Sequence, residues 1–107
     1  GWRPLQAYGD GFVEATPIID KRDCVIFFRK DVEIGPIDAG LLHLGYDGNV
    51  IVRLNGGIVH VASGTNPAHS DEVTIPVAFC HGTNHLEIAM ETNGGNACGI
   101  FARYEAT

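Results

Sequence analysis

Glycine and proline interrupt this chain before any helix can be sustained. Fourteen glycines and five prolines are spread along 107 residues, and no segment keeps a helical period between them. Short runs rich in Val, Ile, Phe and Thr recur instead, bounded by Gly, Asn, Asp and Pro. These runs predict strands near residues 12–16, 25–34, 40–46, 50–54, 58–62, 73–79, 84–91 and 98–105. Eight short strands so punctuated predict an all-β fold, an antiparallel β-sandwich. One such domain accounts for residues 1–107, with 1–11 as a loosely structured lead-in, and the chain holds no internal repeat or low-complexity tract.

Three segments show their faces in the sequence. In Asn84–Glu91 the residues Leu86, Ile88 and Met90 take one side, while His85, Glu87 and Glu91 take the other, as in a half-buried antiparallel strand. In Val50–Leu54 the residues Val50, Val52 and Leu54 point inward and Arg53 outward. Asn55-Gly56 then supplies the two positive-φ residues of a tight hairpin turn, with Gly57 positioned to extend it into a bulge. The segment Val73–Phe79 places its odd positions in the core. Pro76 cannot donate to a ladder, so that strand belongs at an edge or carries a bulge. The expected core is Ile26, Phe28, Val50, Val52, Leu54, Ile75, Val77, Leu86, Ile88 and Met90.

Composition narrows the function. Seven basic against thirteen acidic side chains give a formal charge of −6, which disfavours nucleic acid or an anionic membrane as partner. The longest run of large apolar side chains, Val25–Phe28, is far short of the ~20 residues that span a bilayer. The chain as given shows no signal-peptide pattern. Cys24, Cys80 and Cys98 are too few and too scattered for a disulfide framework or a zinc site. Buried free thiols are expected, with one bridge and one spare thiol as the alternative.

The polar residues form no set spaced for catalysis. His81 and His85 are four apart, but Gly82-Thr83-Asn84 makes the intervening segment a turn rather than a helix, and His43, His60 and His69 are scattered, so no metal site is expected. There is no Gly-x-Ser-x-Gly elbow. Asp71 and Glu72 are adjacent and diverge on a strand. Glu87 and Glu91 share a face but lie roughly 13 Å apart at ~3.3 Å per residue, beyond the ~5–9.5 Å separations used in glycoside hydrolysis. Asn93-Gly94-Gly95-Asn96 joins two strands and opens no helix, so it is read as a connection and not as a phosphate cradle. No cofactor and no intrinsic hydrolytic activity are expected.

An ordered series of motifs runs through residues 10–105. It comprises Asp10-Gly11-Phe12-Val13, then Phe27-Phe28-Arg29-Lys30, then Leu44-Gly45-Tyr46-Asp47-Gly48-Asn49-Val50 leading into Val52-Arg53-Leu54-Asn55-Gly56. Asp71-Glu72-Val73, Gly82-Thr83-Asn84-His85-Leu86 and Gly99-Ile100-Phe101-Ala102-Arg103-Tyr104-Glu105 follow. The series resembles the galactose-binding-domain-like jelly rolls that serve as accessory modules in bacterial glycoside hydrolases of the β-galactosidase, β-glucuronidase and rhamnosidase type. The resemblance implies a jelly-roll sandwich in a secreted or periplasmic protein. It also implies a non-catalytic module that binds an oligo- or polysaccharide beside a catalytic domain. The alternative is a structural sandwich that packs against a catalytic domain or partner subunit and binds no sugar, a role that a large exposed apolar patch on one sheet would favour.

Sugar recognition needs a few placed hydrogen-bonding groups beside an apolar ring. The loops supply both: Tyr46, Asp47 and Asn49 in one, Asn66 and His69 in the 63–72 segment, and Asn93 and Asn96 in a third. Trp2 is a further candidate ring. The rival platform is the polar face of a sheet carrying Arg29, Arg53, His85, Glu87 and Arg103, a set suited to an acidic sugar.

Overall fold

The computed structural model describes residues 12–14, 24–35, 39–63, 68, 70–92 and 99–106. The described residues form eight strands: β1 (Phe12–Glu14), β2 (Val25–Ile34), β3 (Ala39–Tyr46), β4 (Val50–Leu54), β5 (Gly57–Ala62), β6 (Val73–Ala78), β7 (Gly82–Glu91) and β8 (Gly99–Ala106). All pairings are antiparallel. One sheet has the order β1-β8-β3-β6 and the other β2-β7-β4-β5, which is the strand order of a jelly roll. The expected all-β sandwich is therefore observed.

The period of two explains the core. On β4 the residues Val50, Val52 and Leu54 are buried, and on β7 the residues Leu86, Ile88 and Met90 oppose them rung by rung. Val32, Ile34, Leu42, Leu44, Tyr46, Phe79 and Ile100 complete the buried set, while Ile26, Phe28, Ile75 and Val77 pack at its margin. Pro76 lies on β6, the outer strand of its sheet, where its missing N–H interrupts no further ladder. Asn55 and Gly56 have φ of 52° and 84°, the left-handed pair that closes the β4–β5 hairpin.

The bulge in that hairpin is not at Gly57. The register runs Leu54 with Gly57, Arg53 with Ile58, then Val52 with His60, so Val59 is the extra residue. The extra residue lets Ile58 and Val61, three apart, both face outward, which a regular strand would forbid. Cys80 corrects a second expectation. It is a free thiol but exposed, and Cys24, also free, is half-buried. Cys80 is held outside the core in a turn whose backbone is anchored by Asn84.

Asn84 locks the fold at the end of β7. It is wholly buried, yet each of its amide atoms is satisfied. Its Oδ1 accepts from Cys80 N at 2.8 Å and from Asn55 Nδ2 at 2.9 Å. Its Nδ2 donates to Cys80 O at 2.8 Å, Gly82 O at 3.2 Å and Val32 O at 3.4 Å. Asn55 in turn receives His85 N on its Oδ1, and its own N–H donates to His85 O, both at 2.8 Å. The Leu54-Asn55-Gly56 turn and the Gly82-Thr83-Asn84 step thus form one hydrogen-bonded unit joining β2, β4 and β7. These two motifs specify packing rather than a ligand contact.

Candidate functional site

The first loop candidates are built into the sandwich. Tyr46 is the last residue of β3, and its inward direction leaves it only 3% exposed. Its hydroxyl crosses to the opposite sheet and meets His60 Nε2 at 2.9 Å, the two rings tilted with centroids 6.0 Å apart. Burial, and secondarily the Glu72 carboxylate, raise the Tyr46 phenol above its ordinary pKa. Tyr46 therefore offers no exposed ring for stacking on a sugar. Asp47 is also buried, and its carboxylate accepts Gly99 N at 3.2 Å, fixing the start of β8. Asn49 is exposed, and its carbonyl accepts Glu91 N at 2.9 Å. Asn66, His69, Asn93 and Asn96, like Trp2 and Cys98, lie outside the described residues.

The polar platform divides between the two sheets. Arg103 is on β8, opposite His43, and its guanidinium forks onto Asp71 with contacts of 2.9 and 2.8 Å. That hydrogen-bonded pairing holds the Asp71 carboxyl below its ordinary pKa. His43, nearly buried on the same outer face, bridges Thr74 Oγ1 at 3.0 Å through Nδ1 and Glu105 Oε1 at 3.1 Å through Nε2. The order hydroxyl, imidazole, carboxylate has the logic of an acyl-transfer relay. Here, however, Thr74 is exposed on an edge strand, and the network reads as a cross-strand clasp binding β6, β3 and β8. Among the described residues no three His, Cys, Asp or Glu side chains converge to hold a metal ion.

The outer face of the sheet β2-β7-β4-β5 has a different character. Register places Phe27 beside Ala89, Ala89 beside Ile51 and Ile51 beside Val61, an apolar row across all four strands. At ~4.8 Å per strand the row is about 14 Å long. Phe27 is 52% exposed and Val61 65%, with Val25 at 54% and Ile58 at 58% on the same side. Among the described residues, four of the five exposed large hydrophobics thus share one face. The next row is charged: Arg29 opposes Glu87, which opposes Arg53. Beyond it Asp31 Oδ1 lies 2.8 Å from His85 Nδ1. At the other end a shallow depression opens, with Val25, Ile51, Val61 and Ala89 as floor and walls and Asn49 and Glu91 at its rim.

Sequence reasoning found Arg29, Arg53, His85 and Glu87 on one face but not the apolar row beside them. The signal was present in part, since Val25, Phe27, Ile51 and Ala89 occupy the same parity as those charges. Val61 joins them only because of the bulge at Val59.

No family model and no curated protein sequence matches the chain. Solved structures that share its fold include two β-glucosidases. One is a selenomethionine-labelled β-glucosidase from Kluyveromyces marxianus, with TM-score 0.57 at 10% identity, over 78% of this chain and 11% of that one. The other is a β-glucosidase from the same organism in complex with glucose, with TM-score 0.60 at 11% identity, over 100% of this chain and 12% of that one. The chain spans about an eighth of those proteins or less. At such identity the likeness is one of fold.

Proposed function

We propose that the chain is a non-catalytic accessory module of a sugar-processing protein and that it holds carbohydrate on the outer face of the sheet β2-β7-β4-β5. The observation that carries this is the adjacency on that face of an exposed apolar row containing Phe27 and a row of hydrogen-bonding side chains, Arg29, Glu87 and Arg53. A pyranose presents C–H groups on one face and hydroxyls around its rim, so it needs both kinds of surface side by side. The fold likeness to segments of β-glucosidase chains supports the same assignment. Burial of Tyr46 and Asp47 favours the sheet over the loop after β3 in this reading. Titration of the 107-residue chain with soluble glycans tests this, with Phe27→Ala weakening a glycan that wild type binds. Loss on Asn49→Ala with Phe27→Ala unaffected would return the site to the loops.

A second reading has its own observation. Val25, Phe27, Ile58 and Val61 together expose apolar side chains across one face, as expected of a sandwich packed on a neighbouring catalytic domain. That reading predicts no glycan binding at all. It also predicts a lower melting temperature of the intact protein, but not of this chain alone, when Phe27 and Val61 are replaced by serine.

A further inference from the structure

Resting on the carbohydrate reading above, we infer that the ligand is a neutral oligosaccharide laid across the strands, along the row from Phe27 to Val61, rather than a monosaccharide or an acidic sugar. Length comes first. The apolar row crosses four strands and extends about 14 Å, the footprint of several linked sugar rings. The depression on this face opens beside Ala89, Ile51 and Val61 and stops short of Phe27, so a ring seated there leaves the Phe27 end of the row for a further ring.

Charge decides the class. With Arg103 on the other sheet, the positive character expected of this face disappears. Among the described residues its guanidinium groups are Arg29 and Arg53, whereas its carboxylates are Asp31, Glu33, Glu87 and Glu91. The face is net negative on a chain whose formal charge is −6. A uronate or sulfated glycan would be repelled along its length. Neutral hydroxyls instead suit carboxylates, which accept only, and each carboxylate has two oxygens for a pair of neighbouring O–H donors. Glu91 at the rim of the depression and Glu87 beside the row are placed for this on opposite sides of Ala89.

The test is a calorimetric titration of the chain with three probes: neutral gluco-, xylo-, manno- and galacto-oligosaccharides, their monosaccharides, and oligogalacturonate. Phe27→Ala, Val61→Ser and Glu91→Ala are measured beside wild type, each with its circular dichroism and melting temperature. Expected are binding of at least one neutral oligosaccharide, at least tenfold tighter than its monosaccharide, and a loss of about tenfold in each variant with folding intact. Two results overturn the inference while leaving the carbohydrate reading standing: preference for oligogalacturonate, or equal affinity for mono- and oligosaccharide. Binding indifferent to all three variants overturns the placement on this face as well. Binding of no glycan overturns both.

Discussion

Replacing Asn84 by alanine should be among the most damaging single changes available to this chain. The side chain is wholly buried and its amide joins five partners. Three of these contacts are 2.8–2.9 Å and near ideal. At about 1 kcal/mol net for each, their loss costs about 3 kcal/mol, and the orphaned Cys80 N–H and C=O keep that figure from relaxing downward. Against a domain stability of about 5–15 kcal/mol this is a large fraction. With a urea m-value of about 1–3 kcal/mol/M, the midpoint falls by about 1–3 M. Asn84→Asp separates hydrogen bonding from shape. It keeps an acceptor for Cys80 and Asn55 but turns a carboxylate oxygen toward the carbonyls of Val32, Cys80 and Gly82. Burial and those carbonyls disfavour the charged form, so the folded-state pKa of the new carboxyl rises above its unfolded value of about 3.9. Between the two values the native state binds more protons, and stability falls as pH rises. Urea melts at stepped pH should show the Asp variant closest to wild type at low pH and diverging upward from about pH 4. An alanine variant within 1 kcal/mol of wild type, or an Asp variant whose deficit ignores pH, would refute the locking role.

Other consequences concern packing and charge. Leu86→Ala removes a buried side chain opposite Leu54 and should cost about 2–5 kcal/mol in denaturant melts; a cost under half a kcal/mol would mean the face assignment of β7 is reversed. Gly40→Ala drives a Cβ into the ring of Phe79, which packs edge-on to Tyr104, and against the Glu105 carbonyl oxygen, so ring and strand must shift at a cost of about 1–3 kcal/mol by thermal melts. The Asp71 carboxyl, followed by carbon-detected NMR, should titrate below the ordinary aspartate range and move upward in Arg103→Met; an unchanged midpoint would deny the fork its role.

What was legible in the sequence was what local pattern encodes. The alternation in Leu86, Ile88 and Met90 gave both a strand and its buried face, because period two is a property of consecutive residues. Pro76 marked an edge because a missing donor is a property of one residue. Asn55-Gly56 gave the hairpin because left-handed φ is a local demand. What failed was long-range. Tyr46 reads as an exposed ring before a turn, and only the approach of His60 from the other sheet buries it. Arg103 and Arg53 look alike in sequence, each on a short strand, but which sheet a strand joins depends on crossovers that no window of sequence contains. The bulge at Val59 followed no glycine signal, and with it went the outward pairing of Ile58 and Val61. The apolar row is itself a product of register, composed of one residue from each of four strands.

Two-dimensional NMR of the labelled chain, titrated with a neutral oligosaccharide that it binds, tests the central claim most directly. The account predicts shifts that trace Phe27, Ala89, Ile51 and Val61 with their neighbours Val25, Glu87 and Glu91, while His43, Thr74 and Arg103 on the opposite face stay still. Shifts confined to Asp47, Gly48 and Asn49, or to the face bearing His43, would contradict it.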